Sequence, residues 1–217
     1  MYFNRRTLKV ITPPVSGGSG STLVTKVVSV TELKTFARIS GTSEDTLISE
    51  FIDIATEALA QWTRRSILKQ TLELSLDSFG GQTDDNLTGK IEGIKGFSVN
   101  EIDLPLPPAL SITSIKTYDE TNTEATMDST TYELDEIGGR IYLDSGVSWP
   151  SALRAREAVK IRYIAGYGAS ATGVPVALKQ AIRQYAAKLY ECRTVCDIPP
   201  ECKALAQPYR LLDVVGF

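Results

Sequence analysis

Residues 44–77 read EDTLISEFIDIATEALAQWTRRSILKQTLELSLD, and within them the hydrophobic period changes. Leu47, Ile48, Phe51, Ile52, Ile54, Ala55, Ala58, Leu59 and Trp62 recur at three- and four-residue spacing, which predicts a helix running to about Arg65. Glu44 and Asp45 suit its first turn, where carboxylates complement the helix dipole, and Thr42 or Ser43 is the expected cap. The apolar stripe is broad enough to pack on more than one neighbour. From Thr71 to Asp77 the period falls to two. Leu72, Leu74 and Leu76 share one face, with Thr71, Glu73, Ser75 and Asp77 on the other, which is the pattern of a half-buried strand.

Downstream of this switch the strand signals continue. Ile102 to Leu106, Ile112 to Tyr118, Thr131 to Leu134, Arg140 to Leu143 and Val159 to Ala165 read as strands, separated by Pro107-Pro108, Asp119 to Asn122, Gly138-Gly139 and Gly146 to Pro150. Short strands with turn chemistry and no helix between them form an antiparallel sheet or a small sandwich. Gly80 to Gly89 reads as a loop. Helix returns after Gly173, with Pro175 in a first-turn position and Val176, Ile182, Tyr185, Ala186 and Leu189 on one stripe. Pro199-Pro200 breaks the chain before a last short helical segment with Leu205, Tyr209, Leu211 and Leu212.

Upstream, Thr31 is the expected cap of a short helix, Glu32 to Arg38, ended by Gly41. Residues 1–28 read as an extended arm. They hold a short apolar run, Leu8 to Ile11, then Pro13-Pro14, a glycine-serine stretch and the β-branched run Leu23 to Val28, a strand candidate. The fold class is therefore α+β: a bundle of three to four helices with an antiparallel β domain inserted between the second and third. The expected domains are the arm (1–28), a discontinuous helical domain (29–66 and 174–217) and the β-rich insertion (67–173).

The 217 residues carry a net charge of −3 that conceals segregation. Residues 1–28 hold Arg5, Arg6, Lys9 and Lys26 and no acid. Residues 29–151 hold 9 basic and 21 acidic side chains, and residues 152–217 hold 10 basic and 5 acidic. Such a distribution suits a subunit that meets copies of itself or partners of opposite sign. No apolar run reaches the ~18 residues of a membrane span. The opening MYFNRRTLKVITPP lacks the apolar centre of a signal peptide, so the expected place of synthesis is the cytoplasm.

Catalytic patterns fare poorly. The chain has no histidine, which removes Ser-His-Asp and Cys-His systems and the usual zinc-hydrolase ligands. Cys192, Cys196 and Cys202 offer three thiols where a structural zinc needs four ligands, so the expectation is inert, reduced cysteine. Gly17-Gly18-Ser19-Gly20 lacks the lysine of a P-loop, and Gly166-Tyr167-Gly168 misses the third glycine of a dinucleotide fingerprint and reads as a turn. Asp84-Asp85 and Asp135-Glu136 lie in turn-like sequence where acids are common. No catalytic residue, cofactor or metal ligand is assigned.

Four blocks in order carry a resemblance. They are LKVITPP followed by VSVTELKTFARI; the stretch 44–77 with its neighbours; IDLPLPPALSITSIKTYD; and VKIRYIAGYGASATGVPVALKQAIRQYAAKLYECR. Together they span most of residues 7–212, and the chain resembles the tailed-phage head–tail connector (adaptor, or head-completion) family, in the branch with an inserted β domain. The glycine-serine insertion at 16–22 is longer than that family's. The resemblance implies a structural virion protein of the neck, without catalysis. It would be a ring of about twelve copies under the portal protein that extends the DNA channel, passes genomic DNA without reading its sequence, and receives the next neck or tail protein. The competing reading in the same class is another tail-completion or neck protein; a metal-dependent nuclease and a DNA reader are the readings from other classes. Partner contacts are expected from the arm cations Arg5, Arg6, Lys9 and Lys26, from Trp149 in its proline-flanked loop, and from Tyr209, Leu211, Leu212 and Phe217 of an apolar C-terminal tail.

Overall fold

The computed structural model describes residues 6–12, 26–79, 101–194 and 196–211. They divide into two compact units. One is helical and takes the described residues of Thr12–Gln70 and Gly166–Leu212; the other is a β unit built on those of Thr71–Ala165 and on residues 6–11.

The helical unit consists of α1 (Val30–Ala37), α2 (Asp45–Thr63), α3 (Val176–Cys192) and α4 (Pro200–Ala206). On α2 the apolar residues with no exposure are Ile48, Ile52, Ala55 and Leu59, whose spacing places them on one stripe. This stripe packs on α3 through Leu178, Ile182 and Leu189, while α1 adds Leu33 and α4 adds Cys202 and Ala206.

The helix ends differ from the expected ones. Ser29, not Thr31, caps α1. Its hydroxyl accepts from the Glu32 N–H at 3.1 Å, and the Glu32 carboxylate accepts from the Ser29 N–H at 2.7 Å, closing a capping box. That backbone N–H, ahead of the Ser29 hydroxyl, holds the Glu32 carboxyl below its usual range. Neither Thr42 nor Ser43 caps α2; Glu44 stands at that position and makes no side-chain cap. Its carboxylate is drawn instead to Tyr190 and to Arg193, 2.6 Å away, tying the end of α3 to the start of α2. Gly41 does not end α1. Arginine in the left-handed conformation ends three helices, at Arg38 (φ 55°), Arg64 (φ 58°) and Arg193 (φ 54°), where glycine would be the strain-free residue.

The β unit holds a five-stranded sheet in the order β1 (Arg6–Thr12), β2 (Gln70–Leu76), β8 (Val159–Ala165), β4 (Ala109–Tyr118), β5 (Glu124–Thr126). A three-stranded sheet has the order β3 (Glu101–Asp103), β7 (Arg140–Leu143), β6 (Tyr132–Asp135). The pairs β4–β8, β4–β5, β3–β7 and β6–β7 are antiparallel. Leu72, Leu74 and Leu76 of β2 and Val159, Ile161 and Tyr163 of β8 meet Ile102 and Ile141 of the smaller sheet in one core. The Tyr163 hydroxyl donates to the Pro105 carbonyl at 2.6 Å, which satisfies the one polar atom this large ring brings inside. Strand β5 escaped the sequence reading because all three of its residues are exposed, leaving no alternation to detect.

The described residues of the expected arm, 1–28, fall in both units. Its apolar run forms β1 and pairs beside β2, while Val27 and Val28 are buried in the helical core and are not strand. The glycine-serine stretch, Leu23 to Thr25, and the loop Gly80 to Gly89 lie outside the described residues.

The chain leaves the helical unit near residue 70 and re-enters it at 166, and the two passages are hydrogen-bonded to each other. Tyr167 N–H donates to the Ile67 carbonyl at 3.3 Å and Lys69 N–H to the Gly168 carbonyl at 3.0 Å. Gly166 sits at φ 121°, and a Cβ there would lie 2.4 Å from the Leu68 carbonyl oxygen. Only glycine permits both the dihedral and the approach. We predict that Gly166→Ala destabilises the protein by more than ~3 kcal/mol, since strain and a backbone clash add. Gly146→Ala, also at positive φ (85°) but in open space, should lose only about 1–2 kcal/mol. Urea unfolding of both variants measures the difference.

Candidate assembly surfaces

Strands β2, β8 and β4 turn their polar alternates away from the core. The result is an open sheet face carrying Glu73, Ser114, Lys116, Tyr118, Lys160 and Arg162 around a small polar pocket of about 150 Å³. The register sets Lys116 opposite Lys160 and Ser114 opposite Arg162. Arg162 is bound to Glu73 at 2.8 Å and Lys116 to Glu124 at 2.5 Å. Tyr118 donates its hydroxyl to Glu124 at 2.7 Å and carries the Arg154 guanidinium 4.5 Å and the Lys160 ammonium 5.4 Å from its ring centre. The Lys116 hydrogen bond, then that of Tyr118, holds the Glu124 carboxyl below its usual range. The same contacts push Lys116 and Tyr118 up.

The smaller sheet is different in sign. Between β6 and β7 the Asp135 carboxylate accepts from the Ile137 and Gly138 N–H groups at 3.1 and 2.9 Å, folding a tight turn. Glu133 and Glu136 are exposed beside it, and Ile137 at the tip is 80% exposed. In the helical unit α2 carries Asp45, Glu50, Asp53 and Glu57 and no cation. Lys34 holds Asp45 and Lys26 holds Asp53, each at 2.7 Å, which leaves Glu50 and Glu57 without an ion pair among the described residues.

The side chains expected at partner contacts are dispersed. Arg5, Leu212 and Phe217 lie outside the described residues. Arg6 opens β1, and Lys9 is exposed on it between Leu8 and Val10. Lys26 is bound to Asp53 and to the Ser49 carbonyl within its own unit. Trp149 stacks on Phe79 with ring centres 4.4 Å apart, against the β-unit core. Tyr209 meets Tyr167 edge-on at 6.5 Å, its carbonyl accepts from Arg65 at 2.5 Å, and the Leu211 N–H donates to the Thr63 carbonyl at 3.0 Å. The tail is thus tied to the end of α2 as far as Leu211. Sequence reading passed over Lys116, Lys160, Arg162, Glu133 and Ile137, and weighed Glu136 only as part of a turn-like acidic pair. Lys160 and Arg162 were legible as the polar alternates of Val159 to Ala165.

Among known proteins, the family model of phage gp6-like head-tail connector proteins matches residues 27–136, half of the chain. This chain belongs to that family. The match begins at the first residue of the connector's helical core, Val27, and ends beside the β6–β7 turn. No curated protein matches it in sequence. Among solved structures it is similar to a chain of the neck of an empty GTA particle computed with C6 symmetry (TM-score 0.72, 21% identity, 97% of this chain and 98% of that one). It is likewise similar to a chain of the neck of the native particle computed with C12 symmetry (TM-score 0.71, 21% identity, the same coverage). A chain of the virion of the native gene transfer agent particle gives a TM-score of 0.69 at 20% identity, again over 97% and 98%. At these identities the likeness establishes the fold.

The connector's three thiols are free; Cys192 and Cys196 are half-buried and Cys202 is fully inside the helical core. Burial pushes the Cys202 thiol up to about 11 and raises Cys196 as well. Both are thereby held in the neutral form, which is neither nucleophile nor metal ligand. Among the described residues no three metal-ligating side chains cluster, and no helix is long and apolar enough to cross a membrane. The raised Cys202 value has a sign. The fold favours the neutral thiol, so its contribution is complete below the unfolded value near 9 and is lost as pH rises towards 11. The melting temperature is therefore expected to fall between pH 9 and 11, less steeply in Cys202→Ala, and to be unmoved by a chelator at pH 7.

Proposed function

We propose that this connector is a ring subunit at the head–tail joint of a phage or phage-like particle, docked under the portal protein. The ring extends the DNA channel and offers the platform on which the next neck or tail protein assembles. The family match over residues 27–136 carries the reading. The related folds in particle necks computed with C6 and C12 symmetry support a closed ring, of about twelve copies.

The physics of the chain is consistent with that role. A closed ring needs two unlike lateral surfaces on each copy, because head-to-tail contacts that close generate it. The β unit has a basic sheet face and an acidic hairpin. The action in this reading is mechanical and electrostatic: the chain has no histidine, and burial holds the Cys202 thiol in its neutral form. Genomic DNA passes through without sequence readout. Synthesis is in the host cytoplasm and the final location is the virion neck.

Depletion tests this directly. Particles made without the connector should accumulate as heads that contain portal and lack tails, and the purified protein added to those heads should restore tail attachment. Tailed particles produced at the normal yield without it would refute the reading.

A further inference from the structure

The residues 71–79 and 101–165 contain 13 carboxylates and six cations. Four of the six, Lys116, Arg154, Lys160 and Arg162, gather about Tyr118 on or beside one sheet face. Lys116 and Lys160 are directly opposite each other in register. Like charges so placed repel and weaken a sheet. Glu124 offsets Lys116 and Glu73 offsets Arg162, but Lys160 has no ion-pair partner among the described residues. The cost of this arrangement is removed when a further anion arrives.

The same unit carries a suitable anion elsewhere. The β6–β7 turn projects Ile137, 80% exposed, directly after Glu136 and four residues after Glu133, and neither glutamate has an ion pair among the described residues. Both sheets contribute to one core, so the polar alternates of the five-stranded sheet face away from the three-stranded sheet that bears this turn. The turn is fixed at the start of β4, where the Ala109 N–H donates to the Glu136 carbonyl at 2.9 Å, roughly 20 Å along the strand from Lys116, so the two surfaces do not meet within one chain.

We infer that the open sheet face of one copy receives the β6–β7 turn of the next copy, Glu136 meeting Lys160, Glu133 meeting Lys116, and Ile137 resting on Tyr118 and the lysine stems. The occupant is a second copy of this chain rather than nucleic acid. The 13 carboxylates would repel a phosphate polymer, whereas a compact acidic turn reaches the cations alone. Copies joined in this way contact head to tail, the arrangement that closes into a ring. This rests on the ring reading above and names its lateral contact.

The test is a charge swap in the full chain, made in particles that assemble their own necks. Lys160→Glu and Glu136→Lys should each reduce tailed particles about tenfold or more, because each sets like charges against each other at every contact. The double variant Lys160→Glu/Glu136→Lys should return the yield to within about threefold of the parent, since a reversed pair attracts equally. Unchanged melting temperatures of the purified variants confirm that the fold is intact. A Lys160→Gln variant, which removes one attraction without adding repulsion, should fall between parent and reversal. Parent-like yields in both single variants overturn the inference, as does a double variant no better than either single one. Loss confined to Lys160→Glu, accompanied by loss of duplex DNA binding, overturns it in favour of a nucleic-acid face. Parent particles whose necks lack the connector altogether would instead remove the ring reading on which this contact depends.

Discussion

Where the chain leaves the helical unit and where it returns, backbone lies against backbone. Two hydrogen bonds join Ile67 and Lys69 to Tyr167 and Gly168, and Gly166 gives up its side chain so that the Leu68 carbonyl can come close. An inserted unit of some 95 residues, Thr71–Ala165, can leave and re-enter a helical bundle undisturbed only if its two ends are neighbours. This pair of passages provides that. Helices α2 and α3, separated by the whole insertion in sequence, pack through Ile48, Ile52 and Leu59 against Leu178, Ile182 and Leu189 because the crossing brings them back together.

The electrostatics follow a similar economy. Inside the helical unit the ion pairs Lys26–Asp53, Lys34–Asp45 and Arg193–Glu44 join separate segments, the last across 149 residues. Partly exposed pairs of this kind add little to stability, ~0–1 kcal/mol each. They do fix which charges remain for partners. Lys26 and the tail to Leu211 are engaged within the subunit, and Trp149 is engaged with Phe79. Among the outward-facing charges are a basic sheet face and an acidic turn on one unit, and Glu50 and Glu57 on α2. In the proposed ring such surfaces would recur at every contact, so small attractions would be multiplied by the number of copies.

Much of this was legible in the residues. The change from a 3.6-residue period to strict alternation between Trp62 and Thr71 marks the entry to the insertion, whereas the bounds expected for it, 67–173, are wider than the compact unit's Thr71–Ala165. The alternating strands β2, β7 and β8 were read nearly to their ends, since one buried face leaves a period of two. Strand β5 was not, because both its faces are exposed and only its pairing with β4 makes it a strand. The caps misled for a related reason. Thr31, Thr42 and Ser43 have the right chemistry, but Ser29 gains a reciprocal partner in Glu32, and Glu44 is recruited by Arg193, 149 residues away. The assembly surfaces were harder still. Aromatic residues such as Trp149 and Tyr209 read in the sequence as candidate contacts, and the structure sets them beside Phe79 and Tyr167. The charged face becomes visible only once β8 lies beside β4 and sets Lys160 opposite Lys116.

Imaging the neck of the assembled particle by electron cryomicroscopy, at a resolution that traces side chains, tests the central claim most directly. The account predicts a closed ring of this chain between portal and tail, each copy keeping the helical and β units described here. A neck from which this chain is missing, or one in which it sits as isolated copies that do not touch one another, would contradict it.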